Sequence, residues 1–158
     1  MFAVLTLSAL GLVDVPEVGG SSYPEPFRSR MGERLKRRLG DACGLTQFGV
    51  NLVTLGANGQ SALRHWHSSE DEFVYMLSGE VVLVTDAGEQ LLRAGMCAGY
   101  PGGKADAHHL INRSAHPATY LEIGSRIDTD NVFYPDDDLK FAADGDELAF
   151  LHKDGSRY

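Results

Sequence analysis

The sequence predicts an all-β fold, an antiparallel sandwich or small barrel with an N-terminal arm and one short helix. Three observations predict it. From Thr46 to Gly124 short apolar runs alternate with turn signals, and no helical period lies between them. Glycine is in excess at 18 of 158 residues, about 11% against the usual ~7%. With only 6 prolines, that excess means tight turns between short strands and not low complexity. The length suits one domain, which should bury roughly 70% of the unfolded surface without covalent staples.

Taken in order, residues 1–13 (MFAVLTLSALGLV) are almost wholly apolar. No Lys or Arg precedes them, no small-x-small site follows, and Asp14 ends the run too early to span a bilayer. They read as an apolar leading strand or an over-long start, so the expectation is a cytoplasmic protein without a membrane partner. Val15 to Phe27 is rich in Pro, Gly and Ser and reads as an extended arm. Ser29 to Leu39 reads as the helix, with Leu35 and Leu39 four apart and Gly40 placed to stop it. That stretch is basic (Arg28, Arg30, Arg34, Lys36, Arg37, Arg38) and is expected to face the acidic residues Asp136, Asp137, Asp138, Asp144, Asp146 and Glu147. Strands are expected at Phe48–Leu55, Leu63–His67, Glu72–Leu77, Val81–Thr85, Gln90–Arg93, His108–Asn112 and Ala118–Ile123. After Arg126 the chain reads as acidic and irregular. The divisions are an arm and basic helix at 1–45, a barrel at 46–126 and an acidic extension at 127–158.

Composition excludes several functions. There are 14 basic and 22 acidic residues, net −8, whereas nucleic-acid binding needs a broad basic footprint. Two cysteines, Cys43 and Cys97, make no disulfide framework and fit a reducing compartment.

The histidines carry the chemistry. His65 and His67 are two apart, so on a strand both project from one face. Glu72 opens the next strand, and His108 begins a third. Three neutral imidazoles and a carboxylate converging inside a barrel make a mononuclear divalent metal site. A lone His-x-His is a weak signal; the joint spacing is what raises it. His109 has the opposite parity to His108, His116 precedes Pro117 in a turn, and His152 lies in a terminal loop, so none of these is expected in the site.

The spacing resembles that of the cupins. Gly59, His65, His67, Glu72 and Gly79 fit every interval of that family's first motif. Gly95, Pro101, Gly103, His108 and Asn112 match the second, except that four residues instead of two separate Gly103 from His108. Strict counting would put Asp106 at the third histidine, but only His108 keeps the interval to Asn112. Met96 stands where the family commonly has Asp. The resemblance implies a small double-stranded β-helix (jelly-roll) barrel, with His65, His67, Glu72 and His108 as ligands of one divalent transition metal (Fe, Mn, Ni, Cu or Zn). It extends to a bacterial single-domain subgroup in which the name sugar-phosphate isomerase occurs, a name resting on fold analogy.

Such a ligand set with a divalent ion is locally cationic and favours a small, oxygen-rich anion. Tyr100, Lys104, Asp106, Asn112 and Tyr120 are the pocket candidates, and no acid–base residue is clearly placed. The expected function is a metal-dependent enzyme, either a dioxygenase or an isomerase or lyase. The alternative is a metal-containing binding or sensing module without turnover, and a structural or storage role comes last. In cupins such flanks often cross to a second subunit, so a homodimer is expected.

Overall fold

The structure, a computed structural model, describes residues 9–158. The expected leading strand at 1–13 lies largely outside the described residues. The short runs read from the sequence become β3 (Phe48–Leu55), β4 (Trp66–His67), β5 (Glu72–Ser78), β6 (Glu80–Thr85), β7 (Gly88–Arg93), β9 (His109–Ile111) and β10 (Ala118–Ser125). Strands the sequence did not announce are β1 (Glu17–Gly19), β2 (Arg34–Arg38), β8 (Cys97–Tyr100), β11 (Val132–Tyr134), β12 (Leu139–Asp144) and β13 (Glu147–Leu151).

One sheet runs β1-β2-β3-β10-β5-β8; opposite it lie β13-β12-β11-β4 and β7-β6-β9. Every neighbouring pair is antiparallel, as between β3 and β10 and between β10 and β5. Bridges from His65 to His108 and from Gln60 to Ile111 join the segment before β4 to both ends of β9. This is the expected all-β jelly roll. Strand β5 shows why: Val74 and Met76 are buried while Phe73, Tyr75 and Leu77 are exposed, an alternation that only a strand converts into one inner face.

The expected helix at Ser29–Leu39 is corrected. Arg34–Arg38 form β2, antiparallel to β3 in the register Arg34↔Leu55 to Arg38↔Asn51. The four-residue spacing of the leucines imitated a helical period, but pairing to the open edge of β3 overrides such a weak local preference. The helix that forms is one turn, α1 (Leu39–Ala42). Gly40 lies inside it and not at its end, and it is close approach that calls for glycine there: a Cβ would come within 2.8 Å of the Val50 backbone nitrogen. The extension after Arg126, expected to be irregular, holds β11, β12 and β13.

Two apolar clusters result. One fills the barrel between the sheets with Val53, Leu55, Val74, Met76, Val81, Leu83, Leu92, Leu110, Ala118 and Tyr120. In the other, Tyr23, Phe27 and Met31 of the arm pack on Leu63, Val132, Tyr134 and Leu139. Both flanks therefore fold against their own barrel. The basic stretch meets the acidic third only in part: Arg30 pairs with Asp137, whereas Lys36 pairs with Glu122 and Arg37 with Glu17.

Candidate metal centre

Four side chains converge where β4, β5 and the start of β9 meet. The Glu72 Oε2 atom lies 2.8 Å from His108 Nε2, 3.3 Å from His65 Nε2 and 3.4 Å from His67 Nε2. The parity read from the sequence places them. His65 and His67 project inward from one strand edge, and the His65–His108 bridge brings the third ring to the same depth. Ring centroids are 5.2 Å apart for His65 and His67, and 4.9 Å apart for His65 and His108. Asp106 does not take the third position. Its Oδ1 accepts from the Asp86 backbone instead.

The donor set fits a cation. His65 Nδ1 lies 2.7 Å from the Leu63 carbonyl, an acceptor only, so Nδ1 carries the proton and Nε2 of the neutral ring offers a lone pair. His67 Nδ1 lies 2.6 Å from Asp130 Oδ2, which fixes the same tautomer. The Nε2 lone pairs of His65 and His67 thus meet the same carboxylate oxygen that His108 Nε2 approaches at 2.8 Å. A single divalent ion would satisfy all four groups at once, and its charge with one carboxylate and three neutral rings would leave the site at about +1. In the chain alone, burial works against the charged form of Glu72. Hydrogen bonds from His108 and His65 outweigh it and hold the carboxyl well below its ordinary range. His65 mirrors this: burial pushes its pKa down, but Glu72 more than offsets that and the net shift is upward.

Asp130 escaped the sequence reading. It is buried, and its Oδ1 accepts from the Ser69 and Glu70 backbone nitrogens at 2.8 and 3.1 Å and from the Ser68 hydroxyl at 3.2 Å. Burial opposes its ionisation, yet the His67 contact and those N–H groups win and lower its pKa. Glu70 completes a second close group with His67 and Asp130. There burial, followed by the charge of Asp130, pushes the Glu70 carboxyl up.

Two spaces beside Glu72 and His108 together hold four of the five expected pocket residues. A space of about 150 Å³ inside the barrel is bordered by His65, Glu72, His108, Tyr100 and Tyr120, and also by Arg34, Lys36 and Glu122. A narrower space of about 20 Å³ on the other side of Glu72 and His108 is bordered by Glu70, Lys104 and Asp106. The Tyr100 ring stacks on His108 at 3.5 Å. The hydroxyls of Tyr100 and Tyr120 are buried without a hydrogen-bond partner, as is His108 Nδ1. Burial, then the nearby carboxylates Glu72 for Tyr100 and Glu122 for Tyr120, pushes both phenols up, so both stay protonated donors. Lys104 is on the exposed rim, 3.5 Å from Asp106.

Asn112 is the exception. It is fully buried outside this cavity, donating to the Leu55 and His116 carbonyls at 2.9 and 2.8 Å. Its Oδ1 accepts from the Ser114 backbone and hydroxyl. It knits a turn and does not face a ligand. Arg34 and Lys36 went unrecognised because their inward direction depends on β2 being a strand, whereas Glu122 lies on β10, where its shared parity with Tyr120 was the signal. Read with period two, Arg34 and Lys36 share a face, and that was the available signal.

Comparison with known proteins places these observations in a family. The Cupin domain profile matches residues 51–124. A sugar phosphate isomerase of the cupin superfamily from Silicibacter pomeroyi is 43% identical, with TM-score 0.90, covering 95% of this chain and 96% of that one. A protein from Acidithiobacillus ferrooxidans, provisionally designated a sugar phosphate isomerase, is 30% identical with TM-score 0.72, covering 80% and 81%. The polyketide cyclase RemF of Streptomyces resistomycificus shares the fold at 21% identity and TM-score 0.59, covering 76% and 80%. No curated protein sequence matches.

Proposed function

The chain belongs to the cupin superfamily, and on that premise we propose that it is a metal-dependent isomerase of a small phosphorylated sugar, working as a homodimer. The observation that carries the proposal is the meeting of three imidazoles and Glu72 at one wall of a cavity whose other walls hold Arg34, Lys36 and two unpartnered tyrosine hydroxyls. The name of the Silicibacter protein supports the substrate class.

His65, His67, Glu72 and His108 would hold the ion, which when bound supplies a Lewis acid for a carbonyl oxygen. The chain's own groups do the rest. Tyr120 and Tyr100 donate hydrogen bonds to substrate oxygens. Glu122 has its Oε1 held by Lys36 Nζ at 2.8 Å and Asn51 Nδ2 at 3.0 Å. Its Oε2 is the proton acceptor for the carbon next to the carbonyl, and returns that proton to the adjacent carbon to complete the isomerisation. Tyr120 and the apolar floor of Val74 and Leu110 exclude bulk water.

The test uses protein purified without added metal. Metal analysis should give about one ion per chain, and NMR in deuterated water should show aldose and ketose phosphates interconverting with deuterium entering at carbon. His67→Ala should lose metal and interconversion together and keep a β-rich circular dichroism spectrum. Full metal occupancy in that variant, or oxygen consumption without isomerisation in the parent, would overturn the reading.

A further inference from the structure

Arg34 is a cation without a counter-charge. It is half-buried on the inner face of β2, and its Nη1 donates to the Ser61 carbonyl. Among the described residues no carboxylate lies within 4 Å of it, although the neighbours Lys36, Arg37 and Arg38 each have one. A guanidinium partly removed from water is costly unless an anion meets it. In a chain of net −8 the shortage is not one of acidic residues.

Its position shows what kind of anion it could meet. Arg34 borders three spaces: the 150 Å³ cavity with His65 and Glu72, one of about 320 Å³ with Ser21, Ser22 and Tyr134, and one of about 280 Å³ with Ser21, Ser22 and Lys36. It stands where the metal-facing cavity opens toward the arm. Lys36 follows two residues on, roughly 6.6 Å along the strand and on the same face. A guanidinium fork, a nearby ammonium and two serine hydroxyls suit a tetrahedral dianion with several acceptor oxygens better than a flat carboxylate, which one fork satisfies alone.

We propose that Arg34 anchors the phosphate of the substrate. The phosphate lies between Arg34 and the Ser21 and Ser22 hydroxyls, and the carbon chain runs from there toward His65, Glu72 and Tyr120. The sugar in this statement rests on the isomerase reading; the phosphate subsite does not. A long-range field of net −8 repels anions, so capture depends on this local cation.

Glycerol 3-phosphate tests it, having the phosphate but no carbonyl to isomerise. Calorimetric titration of the full-length protein should show binding of glycerol 3-phosphate and none of glycerol. Arg34→Gln should raise the dissociation constant at least tenfold, equivalent to about 1.4 kcal/mol. Arg34→Lys should be intermediate, and Arg113→Gln, on a surface pair with Glu89, should match the parent. Binding should persist after chelation of the metal. Equal affinity in Arg34→Gln and parent, no binding by the parent, or binding that vanishes on chelation and ignores Arg34 would each overturn the subsite. Should Arg34→Gln fail to fold, Ser22→Ala decides: a severalfold weakening supports the subsite and unchanged affinity refutes it. Absent isomerisation with intact, Arg34-dependent phosphate binding would defeat the isomerase reading alone.

Discussion

Asp130 does for His67 what the Leu63 carbonyl does for His65. Each accepts the Nδ1 proton, at 2.6 and 2.7 Å, and thereby turns Nε2 toward Glu72. The difference is charge: a carboxylate makes the imidazole more basic and a better ligand than a carbonyl does. Asp130→Asn keeps an acceptor oxygen for the Ser69 and Glu70 nitrogens but removes that charge. The variant should fold normally and loosen metal binding by about 10- to 100-fold in chelator competition; an unchanged affinity would reduce Asp130 to a pin for the 68–70 turn. Sequence parity made His65 and His67 legible because a period of two needs only adjacent residues. Asp130 is 63 residues from its partner, and no spacing rule reaches that far. Asn112 shows the converse: its motif position was legible, but only the fold shows that its amide is spent on the 112–116 turn.

Among the elements, the basic stretch taught the most. Leu35 and Leu39 satisfy a helical spacing, yet Arg34 and Lys36 satisfy a strand spacing equally well, and the edge of β3 decides between them. The segment before β4 shows a second kind of long-range tie. Arg64 has the opposite parity to the ligands and points away from the site, as the sequence suggests. It donates to both Asp136 oxygens at 2.7 Å and also pairs with Asp86, joining the β6–β7 turn to the loop before β12. The hydrogen bond from Arg64 holds the Asp136 carboxyl below its ordinary pKa. A depressed carboxylate contributes stability that is present above its unfolded pKa, about 3.9, and lost as pH falls through the lower folded value. Asp136 is half exposed, so solvent screening limits the contribution to about 1 kcal/mol. Arg64→Met should therefore lower the urea midpoint at pH 7, and the gap to the parent should narrow as pH falls below about 3.9. A gap that acid leaves intact would assign the effect of Arg64 to packing of its stem.

For the whole molecule, the arm and the extension are part of one body. Tyr23, Phe27 and Met31 pack against Val132, Tyr134 and Leu139, so the ends of the chain close one side of the barrel together. No helix among the described residues is long and apolar enough to cross a membrane. The outer face of the large sheet is left apolar. Phe73, Tyr75 and Leu77 of β5 are 38%, 39% and 45% exposed, and by register Ile123 and Leu121 of β10 lie beside Phe73 and Tyr75 on that face. A contiguous apolar patch of this kind is costly in water, and a second copy related by a two-fold axis would cover it isologously. Light scattering at micromolar concentration should give about twice the chain mass of 17.2 kDa. Phe73→Glu with Leu77→Glu should shift it to the monomer; a monomeric parent would overturn the homodimer.

The β class, seven of the strands and the four converging groups were legible in the sequence. The set of four follows from spacing that resembles the cupin motifs; the class and the strands follow from local periodicity and from turns that glycine permits. Gly79 is an example: its φ is +73° and a Cβ would meet Ala118 Cα at 2.8 Å, so the β5–β6 turn admits no other residue without strain. Tertiary structure decided that Arg34–Arg38 form a strand, and with it that Arg34 and Lys36 face the cavity beside Glu122 of β10. It also decided that His67 leans on Asp130 and that the acidic extension is a sheet. Each of these depends on pairing between segments far apart in the chain, where the free energy of edge hydrogen bonds and burial exceeds any local preference a sequence window can register.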